Sequence, residues 1–387
     1  MDRLQKNIKI FYITNFLQAC LLIVPIWAFF FTSYLNFSFG TALFLVVLSG
    51  LVSFLFEVPS GAWADRFGRK KLFLIGILLT ISAFTIWLFA KDLVLFIISS
   101  ILEGIGFAIL SGNFEAIIHD NLEEVGDEIE FKNITANSYI AIFLGRAFSS
   151  LFAGFLFVLD PLYPIYATII AYVFVFILAL FIKESAQILS THSDNISHIK
   201  EALNYLRKHK ILFFVILILS IESGLGNIYW FTYQPFLDKL GFSIENIGII
   251  FAIIGVFSAI GSHIIKKVQD KFTESIIIYF MLFILLFVSL LFISFDNIPG
   301  VIGIIILSII FGFTMPFGNN FLIQKSPKTH KSTILSIFSF GITIGYVSFA
   351  IPAGFLVDYI GIEKVYLLNI FLIIGLIVFS FLSLRKI

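Results

Sequence analysis

Apolar residues run along this chain in long unbroken stretches separated by short polar interruptions. A helix needs about 20 mostly apolar residues to cross ~30 Å of hydrocarbon. Twelve runs meet that length: residues 8–31, 40–59, 71–90, 93–118, 135–158, 164–183, 210–236, 243–263, 275–294, 300–324, 333–356 and 363–383. Stretches such as Val173–Ile182 are apolar on every face, without the alternation a barrel strand would need. Backbone polar groups in lipid must all be paired, so helices and closed barrels are the only spanning options. The pattern predicts an all-α polytopic membrane protein with twelve transmembrane helices. The first run is too long for a cleaved signal and no small-residue cleavage site follows it, so helix 1 is expected to be retained.

Composition sharpens this picture. Of 387 residues, 59% are hydrophobic and 13% charged, more apolar surface than a soluble domain of this size could cover. A net charge of +1 excludes a nucleic-acid binder, and the single cysteine, Cys20, excludes a disulfide framework or a cysteine-rich metal site. Lys and Arg set the orientation. With both termini inside, 21 of the 25 fall on inner segments, Lys91, Lys239 and Lys364 fall on outer loops, and Arg146 lies within helix 5. This positive-inside bias points to a multi-pass protein of the cytoplasmic membrane with both termini cytoplasmic.

The longest polar stretch, 184–209, divides the chain into six helices plus six. The expected domains are 1–183 and 210–387, joined by this cytoplasmic linker. Ile196, Ile199, Leu203 and Leu206 form a helical stripe within it, consistent with an amphipathic helix lying on the inner membrane face. The halves also resemble repeats. At an offset of 200 residues, Gly61, Gly112, Gly145 and Gly154 meet Gly261, Gly312, Gly345 and Gly354, and Ala153-Gly154-Phe155-Leu156 matches Ala353-Gly354-Phe355-Leu356. Parallel repeats separated by six helices are a transporter architecture, the halves related by a pseudo-two-fold along the membrane normal.

Between helices 2 and 3 stands Gly61-Ala62-Trp63-Ala64-Asp65-Arg66-Phe67-Gly68-Arg69-Lys70-Lys71. It reads as a short inner loop in which Gly61 permits close helix contact and Gly68 a tight turn. Positive-inside charge alone accounts for its cations but not for Gly, Asp and Gly at this spacing. The segment resembles the G-x-x-x-D-R-x-G-R-K signature of the major facilitator superfamily. Glu57-Val58-Pro59-Ser60 before it and Ser111-Gly112-Asn113-Phe114-Glu115-Ala116 in helix 4 resemble variants in compact bacterial members. The resemblance implies a gating loop in which Asp65, Arg66 and Arg69 form a charge clamp, with Glu115 and Asp120 as acidic partners. It also implies a monomer and a cavity lined by helices 1, 4, 7 and 10. Two motifs of the family's drug/proton antiporters are missing: helix 4 has Glu103-Gly104 where an Arg would precede, and Gly145-Arg146-Ala147-Phe148 carries no proline.

Charges within the spans need a reason, since each costs ~2.5–3.5 kcal/mol at mid-bilayer on insertion scales. Glu103 and Arg146 lie at matching depths, and an ion pair between them is expected, either as a static clasp or as a coupling pair. Glu222, midway along helix 7, has no cation at its depth in the second half. A lone carboxyl there reads as a protonation site or an anchor for a cationic substrate, the alternative being a permanently neutral, hydrogen-bonded acid. Nearby, Asn227, Trp230 and Tyr233 offer amide and aromatic groups for an organic ligand, or interfacial anchors. Asn15, Gln18, Asn113 and Asn319 are further candidate cavity residues, although such residues more often make interhelical hydrogen bonds than ligand contacts.

No phosphate-binding loop, nucleophile motif or metal-ligand spacing is present, so neither an enzyme nor a cofactor or metal is expected. The chain reads as a secondary transporter that moves a small molecule with protons by alternating access. The resemblance, with its Asp65-Arg66 loop of the efflux type, implies proton antiport exporting an amphiphilic or drug-like molecule, and the apolar, aromatic helices are compatible with that. Proton symport of an organic cation or nutrient, and a transporter-like receptor without flux, are the alternatives.

Overall fold

A computed structural model of the chain describes residues 2–124, 130–184, 205–206, 208–294, 296–327 and 331–384. Among them, twelve helices are long and apolar enough to cross a membrane, and there is no strand. They are α1 Leu4–Tyr34, α2 Phe39–Phe67, α3 Arg69–Phe89, α4 Leu93–Glu123, α5 Asn133–Leu159, α6 Tyr163–Leu180, α7 Lys210–Lys239, α8 Ile244–Gln269, α9 Glu274–Ile293, α10 Asn297–Lys325, α11 Thr333–Ile360 and α12 Ile362–Leu384. The linker stripe from Ile196 to Leu203 lies outside the described residues.

Two spans are broken, where the hydropathy pattern predicts continuous helix. In α1 regular helix stops at Ala19, and Pro25 opens a short 3-10 turn followed by a π turn at Phe30–Tyr34. The break sits in the interior, where the Leu22 amide donates to the Thr168 hydroxyl of α6 at 3.1 Å. Irregular backbone is tolerated at membrane depth when neighbours satisfy it. In α4 the chain reverses briefly at Gly112, whose φ of 69° is left-handed, before helix resumes at Asn113. Hydropathy reports neither break, because apolar residues continue across both, residues 21–31 in α1 and Phe114, Ile117 and Ile118 in α4.

The chain packs as two compact units, counting the described residues of each. One is built from Met1–Phe37, Phe44–Thr191 and Ser243–Ala252, the other from Ser38–Leu43, His192–Phe242 and Ile253–Ile387. The first has a core in which Phe114 of α4 meets Phe11 of α1 and Phe73 of α3, with ring centroids 5.0 and 5.2 Å apart. In the second, Tyr229 of α7 packs on Phe292 of α9 and Tyr366 of α12, each at 4.9 Å. Equivalent glycines do equivalent work. A Cβ on Gly145 of α5 would overlap the Phe16 carbonyl of α1, and one on Gly345 of α11 would overlap the Ser220 carbonyl of α7. Small residues let helices approach backbone to backbone where lipid supplies no hydrophobic drive between them. Apolar side chains that stay exposed, such as Phe143, Leu144 and Phe152 of α5 and Phe371 and Leu382 of α12, fit an acyl-chain environment.

Candidate functional site

The Gly61–Lys71 segment is not a loop. Gly61–Phe67 forms the last turns of α2, α3 starts at Arg69, and Gly68 alone stands between them with φ 94°. An L side chain at that φ is strained, so glycine is what allows the abrupt reversal. Among the described residues nothing lies within 4 Å of a would-be Cβ on Gly61, so its expected close helix contact is not seen there.

Starting a helix at Arg69 aims its guanidinium at the C-terminal end of α4. Arg69 Nη1 lies 2.8 Å from Asp120 Oδ2, and Nη2 lies 3.6 Å from Asp65 Oδ1. The backbone of the same residue is also engaged. Its N–H donates to Glu184 Oε1 at 2.6 Å, and its carbonyl accepts from Asn113 Nδ2 at 3.1 Å. An acid at the first turn of a helix meets unpaired N–H groups and the positive end of the dipole. Lys70 Nζ donates to the Leu180 carbonyl at 2.7 Å, which adds the end of α6. Arg69 thus gathers α2, α3, α4 and the segment after α6 at one point.

Other expected members of this clamp stand apart. Arg66 is exposed and lies over the Phe67 ring at 5.3 Å. Glu115 is half-buried and has no ion pair among the described residues. Asn113, expected in a cavity, is instead buried beside Arg69, because the break at Gly112 starts a new helix there and turns its amide onto the Arg69 carbonyl. His119, Asp120 and Glu123 each bring one side-chain atom within 4.8 Å of the others, and Arg69 already neutralises the middle one.

The expected Glu103–Arg146 pair does not form. Glu103 is faced by the Ser49 hydroxyl of α2, while Arg146 is exposed on α5 and no carboxylate lies within 4.0 Å of it among the described residues. Equal depth does not make two residues neighbours. The face of each helix decides, and α5 packs on α1 through Gly145, the residue before Arg146, so that Arg146 points elsewhere.

Glu222 is 3% exposed. Thr314 of α10 donates to its Oε2 at 3.2 Å, and no cation lies within 4.0 Å among the described residues. The same helix carries a small polar step. Asn227 Nδ2 donates to the Ser223 carbonyl at 2.7 Å and meets the Ser223 hydroxyl at 3.3 Å. Trp230 packs edge-on against Phe311 of α10 at 5.3 Å. Tyr233, expected to offer an aromatic group to an organic ligand or to anchor at the interface, is buried at 3% exposure with its hydroxyl accepting from Gln234 Nε2 at 3.1 Å. Asn15, Gln18 and Asn319 are half-buried, and Asn15 Nδ2 is a buried donor with no hydrogen-bond partner among the described residues.

Three contributors were not singled out in the sequence. Glu184 is an acid just past α6, readable only as linker charge. Thr314 is one hydroxyl in an apolar helix, with Pro316 two residues on as its only signal. Asp358 of α11 accepts from the Phe39 and Gly40 amides at 2.9 and 2.7 Å and so caps the first turn of α2, inside the second unit. Its signal lay in Val357-Asp358, directly after the repeated Ala-Gly-Phe-Leu.

Twelve apolar helices, repeated glycine crossings and a buried carboxyl on α7 describe a polytopic membrane protein. The family model of the Major Facilitator Superfamily matches residues 10–348, and the chain belongs to that family. Relatives include the MFS-type transporter YxaM of Bacillus subtilis (strain 168), 30% identical over 54% of this chain and 53% of YxaM. Multidrug resistance protein 2 of the same organism is 26% identical over 66% of this chain and 65% of that protein. The chain thus spans about half the length of the first of these relatives and 65% of the second. Among solved structures, a single-substitution mutant of the nucleoside transporter NupG superposes with a TM-score of 0.85 at 14% identity, covering 97% of this chain and 99% of that one. A D-xylose-proton symporter gives 0.74 at 16% identity, over 98% and 97%. Identities this low establish the shared fold alone.

Proposed function

We propose that this transporter exports a small amphiphilic or drug-like molecule in exchange for protons, by alternating access. Glu222 carries the reading. It is a carboxyl in the interior of an apolar helix, met by one neutral hydroxyl and by no cation among the described residues. A charge held there costs several kcal/mol, ~2.5–3.5 on insertion scales, unless something neutralises it. A proton does so at every turn of the cycle, and a cationic substrate does so in exchange for that proton.

The direction is supported by the similarity to a multidrug resistance protein, and an amphiphilic substrate by the polar step on α7, where the Asn227 amide is already bonded to Ser223 and Trp230 packs on Phe311. Sugars and phosphates need several fixed hydrogen-bonding groups, whereas an amphiphile needs few. The Arg69–Asp120–Asp65 cluster is assigned to gating, and Asn15 to ligand contact through its unpartnered amide. The two six-helix halves are taken as 1–183 and 210–387 around the linker 184–209, in a monomer with both termini cytoplasmic, without cofactor or metal.

The test is a compound-sensitivity panel in cells with and without the gene, with Glu222→Gln alongside. Export predicts that the wild-type gene raises tolerance to some amphiphilic compounds and that the variant does not. Increased sensitivity would reverse the direction. No response to any compound would favour a receptor without flux.

A further inference from the structure

The hydroxyl that meets Glu222 has a second acceptor. Thr314 Oγ1 lies 3.2 Å from Glu222 Oε2 and 3.3 Å from the Ile310 carbonyl, one turn back on α10. A threonine has a single hydroxyl proton, so it cannot serve both acceptors fully at once. Thr314 is 4% exposed, and water has little access to replace either bond.

The helix around Thr314 is weakened. Pro316 has no N–H, so the Gly312 carbonyl loses its helical donor. Ser262 of α8 replaces that donor, its Oγ lying 3.0 Å from the Gly312 oxygen and 3.2 Å from the Ser258 oxygen. A Cβ on Gly312 would overlap the Ser258 carbonyl, so α8 holds this turn backbone to backbone. One side of the turn is therefore anchored to α8, and the other meets an ionisable group on α7 through Thr314.

Resting on the reading of Glu222 as a proton site, we infer that Thr314 is a positioning residue that passes the protonation state of Glu222 to the proline-weakened turn of α10, by turning its one hydroxyl proton between the Glu222 carboxylate and the Ile310 carbonyl. With Glu222 ionised, Thr314 donates to the carboxylate in a charge-assisted bond and the Ile310 carbonyl keeps only its helical partner. When the carboxylate takes up a proton, the new O–H donates to Thr314 Oγ1. The threonine proton then turns to Ile310, tying the hydroxyl to its own helix. No covalent bond other than the new carboxyl O–H changes.

The charged groups of the surrounding helices sit towards the helix ends, His263 apart. Among the charged residues of the surrounding helices, Glu274 of α9, Lys325 of α10, Asp358 of α11, and Glu363 and Lys364 of α12 all lie at helix ends. His263 of α8 is exposed, and the remaining α8 charges, Glu245, Lys266 and Lys267, lie towards its two ends. On α7 itself the others are Lys210, Asp238 and Lys239, at its termini. Of the tyrosines, Tyr366 of α12 bonds Thr232 at 2.9 Å, Tyr229 packs on Phe292, and Tyr346 of α11 packs on Phe231.

The test needs no substrate. Infrared difference spectra of the purified, bilayer-reconstituted protein follow the C=O stretch of protonated carboxyls as pH is changed, and the band missing in Glu222→Gln belongs to Glu222. In Thr314→Val the carboxylate loses its donor, so its band should persist to higher pH and shift in frequency. Thr314→Ser should titrate as wild type. Spin labels at the exposed Phe213 of α7 and Ile323 of α10, in a Cys20→Ser background, should report a pH-dependent distance that Thr314→Val abolishes and Thr314→Ser keeps. A wild-type midpoint and distance change in Thr314→Val would overturn the role of Thr314 while leaving Glu222 in place. Absence of any titrating band assignable to Glu222 would instead remove the underlying proton site.

Discussion

Arg69 and Asp120 join the first turn of α3 to the last turn of α4 through a 2.8 Å contact, and the Arg69 backbone is held at the same time by Glu184 and Asn113. The two side chains remain partly exposed, at 24% and 33%, so solvent screens the pair and its contribution to stability is about 0–1 kcal/mol. Asp120→Asn should leave the unfolding midpoint nearly unchanged yet slow transport several-fold, because a gating pair matters through its exchange of partners. Thermal unfolding in detergent, run beside a flux assay, checks this. A stability loss as large as the activity loss would make the pair structural.

Glu103 and Arg146 should behave as independent residues. Were they a buried ion pair, removing one partner would cost about 3–5 kcal/mol and the double variant would recover much of it. With no contact between them, the coupling energy of Glu103→Gln and Arg146→Gln should fall within about 0.5 kcal/mol. A double-mutant cycle on denaturant or thermal unfolding gives that number directly.

The α7–α11 crossing gives a steric prediction. Gly345→Val drives a side chain into the Ser220 carbonyl and should cost at least about 1–3 kcal/mol by overpacking. Gly375→Val, on α12 where nothing lies within 4 Å of the new Cβ, should stay within about 0.5 kcal/mol of wild type. Equal effects at both positions would point to loss of helix flexibility, not crowding, as the cause.

The twelve spans were legible because a bilayer demands one simple thing of a sequence, a long apolar run, and this chain supplies it with little ambiguity. Repeated glycines were legible as well, and Gly145 and Gly345 turn out to seat equivalent crossings. What hydropathy missed were events decided by single backbone torsions. Gly112 breaks α4 and Gly68 alone ends α2, yet both sit among residues that read as helix or as loop with equal ease. The candidate site was harder for a different reason. Depth along a helix can be counted from sequence, but azimuth around the bundle cannot. Glu103 and Arg146 share a depth and face apart, whereas Glu222 and Thr314, on helices with no sequence signal linking them, meet.

The most direct test of proton coupling through Glu222 uses inverted membrane vesicles carrying wild type or Glu222→Gln, with a pH-sensitive dye reporting proton movement on addition of a compound to which the gene confers tolerance. Wild type should release protons from the vesicles on addition of that compound, with the response abolished by a protonophore, and the variant should give none. A wild-type response from Glu222→Gln would contradict the account.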